Sequence, residues 1–156
     1  MAAAARTAPK AKGKDNLVID IFTGDRLQDL AAKIRETGEE TARPQTFSRD
    51  ASSIEQSSAV VVIGTKSETL KLDCSFCGKK TCAEAEKENI TCAYNSSDLG
   101  IAVGSAVSRA ADFRIDNRIM YTVGYTVKKH NLLGRKIRMA LGIPLSATGK
   151  NPFFDR

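Results

Sequence analysis

With 156 residues, 42% of them hydrophobic, the chain can bury a real core in one domain and has no need of a disulfide scaffold. Its formal charge of +6 invites a nucleic-acid reading, but the lysines and arginines are scattered outside residues 10–14 and 128–136, and no tryptophan or aromatic ladder offers bases a stacking surface. No apolar run approaches the roughly 18 residues of a membrane span and the alanine-rich start lacks the order of a signal peptide, so the expected setting is the cytoplasm, with reduced thiols and no membrane or nucleic-acid partner.

The chain opens with MAAAARTAPKAKGKD, in which the alanines favour helix until Pro9 stops it and leaves a basic loop with Gly13 as its flexible point. A helix beginning at Met1 without a cap reads as the tail of a longer one, so further sequence upstream is expected. Residues 16–22 (NLVIDIF) are rich in β-branched residues, short, and apolar on both faces, as a covered strand is. Asp25, with Gln28 three residues on, caps a helix in which Leu27, Leu30, Ala31 and Ile34 recur up to Gly38. Strand then helix is the opening of an α/β unit. Residues 39–49 read as a loop, residues 48–57 as a short helix opened by Ser48 or Asp50, and residues 59–64 (AVVVIG) as a buried strand.

Further on, Ser96 or Ser97 caps a long helix running to Phe113, with Leu99, Val103, Ala106, Val107 and Ala110 on its inner stripe. Gly100, Gly104 and Ser108 stand four apart on one face, a spacing that sets close packing against another helix or a sheet. Residues 118–131 fit both helical and strand periods, and their length favours helix. Alternation of Ile137, Met139, Leu141 and Ile143 predicts a third strand up to Pro144, and the two phenylalanines of the tail predict that it docks. His130, the sole histidine, reads as a solvated helix-end residue. Asp112, Arg114, Asp116, Asn117 and Arg118 read as a salt-bridged turn, with a polar pocket lining as the alternative. Ser146, Thr148, Gly149, Lys150 and Asn151 offer backbone N–H groups and a lysine to a phosphate, although the pattern is no P-loop.

All four cysteines fall within residues 73–92, DCSFCGKKTCAEAEKENITC, at Cys74, Cys77, Cys82 and Cys92 with gaps of two, four and nine residues. A 4Fe-4S cube takes one thiolate per iron, and closely spaced cysteines on a tight loop supply three of them at little cost in chain entropy. Gly78 suits that loop, because it accepts conformations closed to other residues and lets backbone N–H groups approach the sulfides. Thr81 and Glu84 form a capping box that places Cys82 at a helix N-terminus, where a thiolate is stabilised, and Lys79 and Lys80 add positive charge. A zinc site also takes four thiolates, but usually as two separated Cys-x-x-Cys pairs; a redox disulfide between Cys74 and Cys77 leaves the other two cysteines unexplained. Four thiolates around a core of +2 contribute about −2, which reduces the chain's excess to about +4.

Five stretches resemble the prokaryotic ferredoxin-domain-containing proteins of unknown function: ARTAPKAKG (5–13), LDCSFCGKKTC (72–82), DLGIAVGSAV (98–107), DNRIMYTVG (116–124) and GIPLSATGKNPFFDR (142–156). That resemblance implies an iron-sulfur cluster and, from the usual hosts of such proteins, anaerobic metabolism. The two-then-four spacing with glycine after the second cysteine is also similar to the cluster domains of corrinoid iron-sulfur proteins and of certain membrane electron-transport subunits. The order of elements resembles a shortened nitroreductase, a flavin-binding α+β fold, and this implies FMN contacts at Lys10 and Lys12 after the Ala-Pro and at Gly149 and Lys150 near the C-terminus. The paired arginines that nitroreductases carry in their first helix would fall before Met1.

The expected fold is therefore α+β (or α/β), a small nitroreductase-like three-layer scaffold with a central sheet. It forms a single domain over residues 1–156, with the cysteine stretch as a loop inserted at 73–92. The expected function is 4Fe-4S electron transfer or redox chemistry with FMN as a second cofactor. Zinc is the alternative occupant, and a metal-stabilised interaction module without catalysis is the alternative role. The expected partners are a redox protein and a second copy of the chain in a homodimer.

Overall fold

The structure, a computed structural model, describes residues 1–154; Asp155 and Arg156, which end the tail motif, lie outside the described residues. The chain runs α1 (Ala2–Thr7), a 3-10 turn (Ala11–Gly13), β1 (Leu17–Phe22), α2 (Gly24–Glu39), α3 (Pro44–Glu55) and β2 (Ala59–Lys66). The cysteine loop follows, carrying α4 (Cys82–Lys87), and then α5 (Ala93–Asp112), β3 (Asp116–Asn117), α6 (Tyr121–Lys129) and β4 (Ile137–Ser146).

The β-branched run of β2 explains the layering. Alternate side chains of a strand point to opposite faces, and here Val60 and Val62 enter one core while Val61 and Ile63 enter another. The first core joins them to Leu27, Leu30, Ile34, Phe47, Ile54, Val123 and Val127 from α2, α3 and α6. The second joins them to Ala5 of α1 and to Leu99, Ala102, Val103 and Ala106 of α5. The result is the expected three-layer α+β arrangement, helices on both faces of a sheet ordered β1-β2-β4-β3.

The α/β opening is corrected. Two helices, not one, separate β1 from β2, so the chain returns to the same end of the sheet and the strands pair antiparallel, Leu17 opposite Thr65 and Phe22 opposite Val60. The second of these helices starts at Pro44, inside the expected loop, since proline at the first helical position has its φ already set. The N-cap of α2 is Thr23, and Asp25 lies in the first turn. α5 begins at Ala93, earlier than Ser96 or Ser97, and its N-cap is Cys92. β4 runs through Pro144 to Ser146. Its register puts Pro144 opposite Arg118, between the Asn117–Leu145 pair and the Met120–Gly142 bridge, where the ladder lapses and no N–H is needed.

The segment that fitted two periods is a helix, α6, and glycines let it lie directly on β4. A Cβ on Gly124 would stand 1.6 Å from the Ala140 carbonyl oxygen, and one on Gly142 would stand 2.3 Å from Val123 Cγ1. The Gly100, Gly104 and Ser108 face of α5 is a second correction: all three are exposed, and a Cβ on either glycine meets nothing within 4 Å. The tail does dock, with Phe153 in the first core at 4% exposure. The polar knot at the α5–α6 junction holds it: Arg118 donates to the Phe153 carbonyl at 3.0 Å and Asn151 Nδ2 to Asp116 Oδ1 at 2.9 Å.

Gly124→Ala is expected to destabilise the protein by about 3 kcal/mol, because backbone cannot yield as a side-chain tip does. Gly100→Ala in the exposed helix interior is expected to stabilise it by about 0.5–1 kcal/mol. Urea denaturation of the two variants beside the parent chain checks both signs.

Candidate metal centre

The cysteine loop leaves the sheet at Lys66 and returns at Cys92, so its geometry depends on how its ends are tied down. Asn95, in the first turn of α5 and 2% exposed, donates from Nδ2 to the carbonyls of Glu68 at 2.6 Å and Lys66 at 3.3 Å. Its Oδ1 accepts from Asn16 Nδ2 at 3.1 Å, and the Asn16 amide also reaches the Glu68 carbonyl at 3.3 Å. Lys12, held in a left-handed conformation at φ 58°, donates to the Leu70 carbonyl at 3.4 Å. Leu70 itself is buried at 3% exposure. Asp98 accepts the Ala11 N–H on both carboxylate oxygens at 3.1 Å, which fixes the basic loop against α5.

Between these anchors the backbone winds tightly. Lys71, Asp73 and Ser75 take positive φ at every second residue (54°, 44° and 62°), and Gly78 follows at 82°. Alternation of this kind turns successive N–H groups toward one concavity, the arrangement by which backbone binds anions. The Gly78 N–H closes the turn on the Ser75 carbonyl at 2.9 Å. Phe76, in the same turn and 72% exposed, stacks on Tyr94 of α5 with ring centroids 5.5 Å apart.

The helix start at Cys82 follows the sequence closely. Thr81 Oγ1 accepts the Glu84 N–H at 3.2 Å, while the Glu84 carboxylate takes the N–H of Lys80 at 3.1 Å, one residue before the one a capping box would engage. Asp73 adds a reciprocal clasp that the spacing of the cysteines does not announce. Its Oδ1 accepts the Cys82 N–H at 2.6 Å, and its own N–H donates to Cys82 Sγ at 3.4 Å. Cys92 stands at the N-cap of the 20-residue α5, where the unpaired N–H groups and the helix dipole favour negative charge.

The outcome is that Cys74, Cys77, Cys82 and Cys92, all free thiols, line one hollow walled also by Thr69, Asp73 and Ala85. Cys92 is buried and the other three are half-buried. Among the described residues no three His, Cys, Asp or Glu side chains converge closely enough to hold a single ion, and the hollow that the thiols line is small, about 10 Å³. The rim carries ion pairs. The hydrogen bond from Lys71, joined by one from Thr69, holds Glu86 below the ordinary carboxylate range, and the same bond raises Lys71. Glu88 raises Lys79 in the same way, with a smaller contribution from Cys77.

The residues expected to contact a flavin fall in two places. Lys10 closes the end of α1, its Nζ donating to the carbonyls of Arg6 at 2.6 Å, Ala8 at 2.8 Å and Ala5 at 3.4 Å. Lys12 belongs to the base of the cysteine loop. Lys150 lines a separate hollow of about 540 Å³ with Arg49, Ser53, Gln56, Thr148, Asn151 and the tail phenylalanines. Gly149 is exposed beside it with open space around its Cα. Lys10 and Lys12 line neither this hollow nor the thiol one. α3 covers one face of the sheet and α1 with α5 the other, which keeps the two lysine groups apart. His130 accepts or donates a hydrogen bond to Thr37 Oγ1 at 3.1 Å and so ties α6 to α2.

This fold and the thiol-lined loop place the protein with known relatives. The model of the family described as uncharacterized protein containing a ferredoxin domain (DUF2148) matches residues 88–156, which include Cys92. A protein from Archaeoglobus fulgidus, described as uncharacterized, is 42% identical over 165 aligned positions covering all of this chain and 88% of the relative. The chain belongs to this ferredoxin-domain-containing family. Among solved structures, a nitroreductase with bound FMN from Desulfitobacterium hafniense is similar in fold, with a TM-score of 0.65 at 12% identity over 96% of this chain and 75% of that one. A nitroreductase family protein from Clostridium novyi gives 0.63 at 19% identity over 98% and 73%. The FMN-dependent nitroreductase NfnB from Mycobacterium smegmatis, in complex with NADPH, gives 0.58 at 13% over 94% and 75%. The fold is thus nitroreductase-like. No helix among the described residues is long and apolar enough to cross a membrane.

Asn95→Ala is expected to cost about 1–3 kcal/mol, because it leaves the Lys66 and Glu68 carbonyls and the buried Asn16 amide each one partner short. Hydrogen exchange at residues 67–72 should accelerate beyond the global change; exchange that rises evenly over the whole chain would place the effect elsewhere.

Proposed function

We propose that the protein is a one-electron carrier that holds a 4Fe-4S cluster through Cys74, Cys77, Cys82 and Cys92. The observation that supports this reading most strongly is that four free thiols from three separate segments line one hollow. The family's own description names a ferredoxin domain. Such a cluster, when bound, accepts and donates single electrons. The chain's part is to present four thiolates around a space, to offer them the N-termini of α4 and α5 and the wound backbone of residues 71–78, and to exclude water on the Cys92 side. A single zinc ion draws its four sulfurs to about 2.3 Å from one point. The cysteine spacing favours the cube, since only Cys74 and Cys77 form a Cys-x-x-Cys pair where zinc sites usually use two such pairs. Reduced thiols suit the cytoplasm, and the electrons pass to or from a redox partner protein.

A second cofactor is supported by a different observation, the fold shared with FMN-bound nitroreductases. For it the hollow at Lys150 and Arg49 is the better candidate: it brings Lys150, and Arg49 with its Asp50 partner, together with Phe153 and Phe154, side chains of the kinds that a phosphate joined to a flat ring would use. Lys10 and Lys12 are engaged with backbone carbonyls and take no part in this reading. The homodimer stays within the proposal, with the exposed Gly100–Gly104 face of α5 as its contact.

Anaerobically purified protein is expected to be brown, with about four irons and four sulfides per chain; a colourless protein with one zinc contradicts the reading. Cys92→Ala should drop the iron content to about three or fewer while the melting profile stays that of a folded protein, since Cys92 belongs to neither core. Collapse of the fold in that variant, with no redox change in the parent on reduction, would favour a purely structural module. For the flavin, fluorescence quenching of added FMN should weaken at least about tenfold in Lys150→Ala; equal quenching by both proteins removes Lys150 from the site.

A further inference from the structure

Arg138 lies in β4, 46 residues beyond Cys92 in sequence, yet its guanidinium is spent on the segment that leads into that cysteine. Nε donates to Thr91 Oγ1 at 2.9 Å, Nη1 to Asn89 Oδ1 at 3.0 Å, and Nη2 to the Asn89 carbonyl. Thr91 immediately precedes Cys92, the buried thiol that opens α5. Asn89 stands in the left-handed conformation, φ 57°, where the chain turns out of α4.

A second, independent observation concerns the strand. The β2–β4 ladder pairs Thr65 with Met139 and then Lys66 with Ile137, so Arg138 is the extra residue of a β-bulge. The bulge changes the phase of the strand: Ile137 packs into the core under α2, α3 and α6, while Met139, two residues on, packs against the opposite core. Bulges occur beside functional sites because they re-aim one side chain out of the regular alternation. Here the re-aimed side chain is the one that grips the cysteine loop.

We propose that Arg138 is a positioning residue for the cluster, a fork presented by the bulge that fixes residues 89–91 and thereby sets the Cys92 thiolate before any metal arrives. This rests on the cluster reading of the four thiols. The three nitrogens of one planar group meet three acceptors, a match that a lysine ammonium cannot reproduce even though it keeps the charge. Groups that orient metal ligands in this way typically account for about 10–100-fold in metal retention.

The test compares the anaerobically loaded wild type with Arg138→Ala, Arg138→Lys and a control, Arg35→Ala. The control removes a guanidinium of comparable connectivity, bonded to Glu55, Ser48 and Ser52 between α2 and α3, away from the thiols. Iron release to a ferrous chelator should be at least about tenfold faster in both Arg138 variants and unchanged in the control. The electron paramagnetic resonance spectrum of the reduced cluster should change in the same two variants only, with circular dichroism showing all four proteins folded. Wild-type release rates in Arg138→Ala overturn the proposal. Full rescue by Arg138→Lys overturns it too, because charge and not the fork would then be at work. If the wild type takes up no iron, the cluster reading itself fails; amide exchange at residues 89–92 of the metal-free proteins then decides the clamp separately, and equal exchange in wild type and Arg138→Ala overturns that as well.

Discussion

The arrangement depends on one buried side-chain amide. Asn95 stands where the loop leaves the sheet and α5 begins, and its hydrogen bonds to the Lys66 and Glu68 carbonyls and to Asn16 join β1, β2 and α5 at one point. A loop of some two dozen residues between Lys66 and Cys92 could occupy many positions over the end of the sheet, and ordering it costs conformational entropy. Buried polar groups with their partners in place impose a single geometry, because any shift leaves a donor or acceptor unpaired in a low dielectric. The loop's path is set there, and the thiols inherit it.

From that anchor the four sulfurs divide into two kinds. Cys92 belongs to the scaffold, buried at the start of a 20-residue helix and backed by Arg138 from the sheet. Cys74, Cys77 and Cys82 belong to the loop, where Asp73 clasps Cys82 and left-handed residues wind the backbone tightly. On the loop side Phe76 and Leu72 are exposed to solvent, while Cys92 is buried at the start of α5.

Much of this was legible in the sequence. The cysteine spacing, Gly78, and the Thr81 cap before Cys82 are local signals, and local signals need no knowledge of the fold. The β-branched run of β2 and the helical stripes of α2 and α5 announced the layers as well. What the sequence did not reveal was contact between distant residues. Arg138 and Asn89 lie 49 residues apart, and Asn16 and Asn95 lie 79 apart. Nothing in either neighbourhood marks them as partners. The same reason separates Lys10 and Lys12 from Lys150: the order of elements matched a flavin-binding fold, but which face of the sheet each lysine reaches is decided by packing. The small-residue face of α5 misled differently, since glycine spacing signals close approach without saying whether the approaching surface belongs to the same chain.

The central claim is that Cys74, Cys77, Cys82 and Cys92 enclose one polynuclear centre. Crystals grown and frozen without oxygen, with anomalous diffraction recorded on both sides of the iron absorption edge, test it most directly. The account requires a single compact iron feature inside the ring of four sulfurs, each sulfur about 2.3 Å from its own iron. A feature that appears at the zinc edge instead, or iron bound away from any one of the four thiols, contradicts it.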